Sequence, residues 1–150
     1  PSKPVFLESE SKKIGDLRVP EALINAYRQG ECINVQASLE TRTAYLKENY
    51  IHLIETPPLL ITQIEKLVSR HGNKIVNHWL SLIKNNAWDE FVHDLLKTHY
   101  DVSYSKSMHK NFKNFSKARN YPLTDLSKGS VLKIAEEVCM TYKNQKHYDY

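Results

Sequence analysis

An apolar run that ends in acids, Val5-Phe6-Leu7-Glu8-Ser9-Glu10, stands near the start of the chain with no glycine-rich loop before it. A short apolar run ending in carboxylates is how a buried parallel strand brings acids to the carboxyl edge of a nucleotide-binding sheet, where ligands of α/β folds sit. Residues two apart on a strand face the same side, so Glu8 and Glu10 would share one site. There they could hold a metal through water or orient a hydroxyl or a guanidinium, although strand-end acids can equally meet solvent or cap the next turn. The usual companion of such a strand is the phosphate loop G-x-x-x-x-G-K-[ST]. It cannot be built from Gly15, Gly30, Gly72 and Gly129, no two of which lie close enough. The expectation is therefore a cut chain whose phosphate loop belongs upstream of Pro1.

Further along, Glu21 to Arg28 follows Pro20, carries an acid in its first turn and has Gly30 beyond its end, which predicts a short helix. Cys32 to Ala37 alternates polar and apolar residues and is rich in β-branched side chains, predicting a second strand. Strand, helix, strand in this order favours a right-handed parallel crossover. Ser38 can cap a helix from Leu39 to about Ile54. From Pro57-Pro58 onward the pattern is helix after helix: Leu59 to His71 closed by Gly72, Ile75 to Ile83, a turn at Asn85-Asn86, and Trp88 to Leu96. Residues 102–117 read as helical, Tyr121-Pro122-Leu123 as extended or a short strand, and Leu126 to Tyr142 as a closing helix. The fold class is α/β, with strands near 4–8 and 32–37 and a predominantly helical second half, in one domain over residues 1–150.

Apolar residues at 41% and charged residues at 25% are ordinary globular usage and argue against disorder or a coiled coil. No apolar run approaches the roughly 20 residues of a membrane span. Cys32 and Cys139 lie far apart with no C-x-x-C spacing, so neither a zinc site nor a disulfide framework is indicated, and a reducing cytoplasm is the simplest compartment. Residues 1–96 carry 11 Lys+Arg against 12 Asp+Glu, whereas the remainder carries 10 against 5. A positive excess confined to the last third points to an anionic partner, nucleic acid first.

Several residue groups could carry chemistry. Ser11, Lys12 and Lys13 follow the first strand, where amides and ammonium groups can meet a phosphate. Arg18, Arg28 and Arg42 are candidate phosphate clamps, because the guanidinium fork matches phosphate. Arg42 ranks first, in the opening turn of the helix that follows the second strand. His99, Tyr100, Asp101, Tyr104 and Ser107 gather an imidazole, two phenols, a carboxylate and a hydroxyl within about three helical turns, enough for acid/base work or base stacking. The plainer alternative is that Asp101 caps a new helix whose Tyr104 packs on the core. Lys106, Lys110, Lys113 and Lys117 fall at steps of four, three and four, which on one helix makes a single charged stripe, and His109, Phe112, Phe115 and Arg119 interleave with it. Such a stripe combines phosphate neutralisation with surfaces for RNA bases, although charged helix faces are usually only solvated.

Taken in order, Phe6-Leu7-Glu8-x-Glu10-Ser11-x-x-Ile14-Gly15-x-Leu17-x-Val19-Pro20, Leu39-Glu40-x-Arg42 and His99-Tyr100-Asp101-x-x-Tyr104 resemble the tRNA 2-selenouridine synthases. Where that family commonly has Pro after the Tyr-Asp pair, this chain has Val102. The resemblance implies an N-terminal rhodanese-like domain with an active cysteine, followed by a P-loop domain of which residues 1–150 are the later part. Cys32, in an expected strand, does not take the rhodanese role. The implied reaction replaces the sulfur of wobble 2-thiouridine in tRNA by selenium from selenophosphate, through a geranylated thiouridine, with geranyl diphosphate as a further substrate. On that reading Glu8, Glu10, His99 and Asp101 are catalytic candidates, and Ser11, Arg18 and Arg42 meet phosphate or nucleotide. Tyr100, Tyr104, Lys106, Lys110, Lys113, Lys117 and Arg119 meet tRNA. The chain alone is expected to be inactive. A fragment of a P-loop kinase of small molecules or nucleosides, and a non-catalytic RNA-binding module, are the alternatives.

Overall fold

The structure, a computed structural model, describes residues 4–9 and 12–143. Glu10 and Ser11 lie outside the described residues. The fold is mixed α/β with helices predominating. The chain divides into two compact units, Pro1–Gln36 with Lys106–Tyr150, and Ala37–Ser105.

The first unit begins with an irregular segment. Residues 4–8 form no strand, and Val5, Phe6 and Leu7 are 71%, 47% and 53% exposed, a correction to the expected first strand. A strand exists only where a neighbour supplies its ladder of hydrogen bonds, and residues 4–8 have none. A small hairpin follows, with β1 (Lys13–Ile14) antiparallel to β2 (Leu17–Arg18). Gly15, at φ +59°, makes its turn in the left-handed region that glycine enters without penalty. Helix α1 (Glu21–Tyr27) leads to β3 (Ile33–Ala37), as the sequence predicts. The partner of β3 is β4 (Arg119–Leu123), in a two-stranded parallel sheet. Ile24, Met108, Phe112 and Tyr121 are buried in this unit, and the Tyr27 and Phe112 rings stack at 5.9 Å. The unit closes with α8 (Lys128–Lys143). Before it, Asp125 accepts from the Ser127 amide and the Ser130 hydroxyl, which holds its carboxyl down at about 2.

The second unit is helical. Ser38 caps α2 (Leu39–Asn49), its Oγ accepting from the Thr41 amide at 3.1 Å. The expected single helix to residue 54 is instead broken at Tyr50, with φ −111° and ψ 29°, into α2 and α3 (Ile51–Glu55). Pro57 and Pro58 open α4 (Pro57–Glu65), where a missing amide costs nothing. α5 (Val68–Lys84) is interrupted at Gly72, whose φ +76° and ψ 165° only glycine adopts readily. The expected helix to His71 thus ends earlier, at Glu65, while Gly72 still marks a break. Asn86, at φ +55°, turns the chain into α6 (Trp88–Leu95). Val76, Trp79 and Ile83 recur at helical spacing on α5 and pack with Ile64 and Phe91 into the core of the unit, wrapped by Leu60, Leu67, Leu80 and Leu95. Trp79 is fully buried.

α7 (Asp101–Asn111) ends six residues before the expected limit of 117. Phe112 drops into the core of the first unit, Lys113 donates its amide to Arg28 O, and Asn114 Nδ2 donates to Gln29 O and Gly30 O. These long-range bonds pull the backbone off the helical path. Lys106 and Lys110 therefore stand on α7, Lys113 lies beyond it, and Lys117 ends a short 3-10 turn (Phe115–Lys117). The four lysines do not form one helical stripe.

Candidate functional site

The densest polar constellation of the second unit is built on a π-turn. Between α6 and α7 the residues Leu96–Tyr100 coil with wider spacing, and the Asp101 amide donates to Leu96 O. There is no break at Asp101, so the helix-cap alternative gives way to a continuous helical path. A π-turn inserts one extra residue, rotating the downstream register by about 100° relative to an unbroken α-helix. Leu96 keeps its side chain buried on the core side, while Tyr100 and Tyr104 emerge 49% and 38% exposed. Their rings lie nearly parallel, 9° apart with centroids at 6.0 Å.

The next residue after the turn, Asp101, receives Arg42. Nη1 donates to Oδ1 at 2.7 Å and Nη2 to Oδ2 at 2.9 Å. The Asp101 hydrogen bonds push the Arg42 guanidinium further up, so its charge is permanent. Its Nε is buried and makes no hydrogen bond among the described residues. The sequence singled out these two residues for separate roles, and the structure brings them together. An incoming phosphate at Arg42 must share or displace the Asp101 carboxylate.

Behind the turn stand two imidazoles, with His71 Nε2 2.8 Å from His99 Nδ1. At that distance one nitrogen donates and the other accepts, so the pair holds a single proton between them. His71 meets Trp79 edge to face at 5.2 Å, and Trp79 Nε1 donates to Asp94 Oδ2 at 2.6 Å. Thr98 donates to the other oxygen of Asp94, and Ser103 Oγ donates to His99 O. Burial pushes the His99 imidazole below its ordinary range, and the nearby charges of His71 and Arg70 push the same way. A neutral imidazole at neutral pH can accept a proton, the requirement for a general base.

Sequence reasoning missed His71, Trp79 and Asp94. The available signal was His71 directly before Gly72, the only glycine of the second unit, where the helix breaks. The remaining candidates belong to the first unit: Glu8 on the exposed irregular segment, Arg18 exposed on β2, Lys106 and Lys110 on α7, Lys113 and Lys117 between α7 and β4, and Arg119 at the start of β4. Among the described residues, no three His, Cys, Asp or Glu side chains converge as metal ligands.

A family model for the tRNA 2-selenouridine synthase AAA domain matches residues 1–85. The chain belongs to this family. The synthase match covers the opening acidic segment, α2 with Arg42, and α5 with His71, whereas the π-turn lies beyond it. No curated protein and no solved structure matches the chain. The family match supports a role in tRNA modification. Among the described residues no helix is long and apolar enough to cross a membrane.

Proposed function

We propose that the parent protein replaces the sulfur of wobble 2-thiouridine in tRNA by selenium, through a geranylated thiouridine and with selenophosphate as donor. The observation that carries this reading is the synthase family match over residues 1–85. In this reading the chain is the later part of a P-loop domain, acting in the cytoplasm. The phosphate loop and a rhodanese-like domain are supplied elsewhere in the same polypeptide. A parallel β3–β4 pair of only two strands is marginal alone and would be completed by strands of that domain.

The π-turn supports a division of labour. Tyr100 and Tyr104 offer stacked, half-exposed rings on which an unpaired base can lie, a contact worth about 1–3 kcal/mol per base. Arg42, held by Asp101, supplies a fixed positive charge beside them. His99 would accept a proton, with His71 hydrogen-bonded behind it. Glu8 and Glu10, with Ser11 and Arg18, would serve the nucleotide edge, where selenophosphate or geranyl diphosphate brings its phosphate. Lys106, Lys110, Lys113, Lys117 and Arg119 would neutralise the tRNA backbone.

The test is wobble-uridine selenation by the full-length parent, with Tyr100→Ala and Tyr104→Ala variants assayed for tRNA affinity. Selenation by the parent and a tenfold or greater loss of affinity in the variants, about 1.4 kcal/mol, is the expected result. Phosphorylation of a small molecule by the parent without tRNA would overturn it.

A further inference from the structure

The first unit contains an open cleft of about 430 Å³ lined by Glu31, Cys32, Asn114, Lys117, Arg119 and Tyr142. It lies where β3 and β4 both begin. Arg119 donates its amide to Cys32 O at 3.2 Å, and Asn34 Nδ2 donates to Asn120 Oδ1 at 3.0 Å. Ligands of parallel sheets gather at the opposite, carboxyl ends of the strands, so this cleft is separate from the nucleotide edge. Its floor is held across 85 residues of sequence by the Asn114 side chain, which donates to Gln29 O at 2.9 Å and Gly30 O at 3.1 Å. The volume is that of a site for one nucleotide-sized group.

We infer that this cleft binds one phosphodiester of single-stranded RNA, with Lys117 and Arg119 on the phosphate and Tyr142 as the wall against the adjoining sugar or base. The inference rests on the tRNA reading and adds a location to it. The charge balance selects the diester. Lys117 and Arg119 bring two positive charges and Glu31 one negative, a net of +1 (2 − 1). A phosphodiester carries one negative charge, whereas inorganic phosphate and phosphate monoesters approach two near neutral pH. A bound diester therefore leaves the cleft neutral, whereas a dianion leaves one uncompensated negative charge beside Glu31, and the guanidinium fork of Arg119 suits the two free oxygens of a diester.

Cys32 reports occupancy, since it is one of the residues that line the cleft. In the Cys139→Ser background, which removes the exposed second thiol, alkylation of Cys32 by a maleimide is timed in the full chain with an RNA trinucleotide, inorganic phosphate or nothing. Burial pushes the Cys32 thiol up, so labelling is run at mildly alkaline pH. The trinucleotide at ten times its dissociation constant should slow alkylation about tenfold, and inorganic phosphate at the same concentration should not. Lys117→Glu with Arg119→Glu should abolish protection and lower the salt slope of RNA binding by about 0.7, the contribution of one phosphate on a single strand. Glu31→Gln, a milder change, should let inorganic phosphate protect.

Unslowed alkylation by the trinucleotide, while the parent still selenates tRNA, overturns the cleft and leaves the tRNA reading standing. Protection by the trinucleotide with a parent that does not modify tRNA does the reverse. Protection by inorganic phosphate as strong as by RNA in the unaltered cleft also overturns the assignment to a diester.

Discussion

Arg42 and Asp101 meet end to end, both terminal guanidinium nitrogens on both carboxylate oxygens at 2.7 and 2.9 Å, joining the first turn of α2 to the residue after the π-turn. The side chains remain 29% and 39% exposed, so water screens much of their attraction. A double-mutant cycle of Arg42→Ala and Asp101→Ala should give a coupling of about 1 kcal/mol by urea denaturation. Arg42→Lys should recover little of it, because an ammonium cannot span both oxygens. A coupling near zero would mean that the pair does not anchor the turn.

Trp79 anchors the core of the second unit and also donates to Asp94. Trp79→Ala should cost about 3–5 kcal/mol through the cavity it leaves. Trp79→Phe keeps much of the volume and removes the donor, so it should cost less, on the order of 1–3 kcal/mol. If the two variants unfold at the same urea concentration, the hydrogen bond and not the packing dominates.

Gly72 tests backbone conformation by itself. An added Cβ would meet nothing within 4 Å, yet φ is +76° with ψ 165°. Gly72→Ala should still destabilise by about 1–3 kcal/mol, all of it from the disfavoured backbone region. A stability unchanged in thermal or urea unfolding would show that the break after His71 does not depend on the conformational freedom of glycine.

His99 makes stability depend on pH in a definite direction. Its folded imidazole titrates below the ordinary 6.5 because burial, first, and then His71 and Arg70 disfavour the charged form. The unfolded chain therefore binds more protons in the window just below 6.5, and the stability His99 contributes, complete above that value, is lost as pH falls through the folded pKa. Urea midpoints should decline on acidification through this window, and His99→Gln should flatten the decline. An unaltered slope in the variant would assign the effect to other groups.

Some of the architecture was legible without coordinates. Ser38 as a cap, Gly72 as a break, Asn85-Asn86 as a turn, α1, β3 and the extended Tyr121-Pro122-Leu123 follow from local chemistry, and all are present. The failures share one cause. Val5-Phe6-Leu7 carries strand propensity, but a strand forms only beside a partner. Lys106 to Lys117 has helical charge spacing, but Phe112 is buried 8% exposed and Asn114 is held by the loop after α1, which outweighs a propensity of a few tenths of a kcal/mol per residue.

The site divides along the same line. The sequence by itself determined which chemical groups are present: the His99-Tyr100-Asp101 segment, Arg42, the basic last third and the resemblance to the synthase family, because these depend only on residue identity and order. Tertiary structure decided what they do to one another. It turned Asp101 from a helix cap into the anchor of Arg42, set His71 against His99 across 28 positions, and placed Lys117 and Arg119 on a cleft instead of a stripe. Those relations depend on one extra residue in a π-turn and on hydrogen bonds between segments far apart in the chain, and no local pattern encodes either.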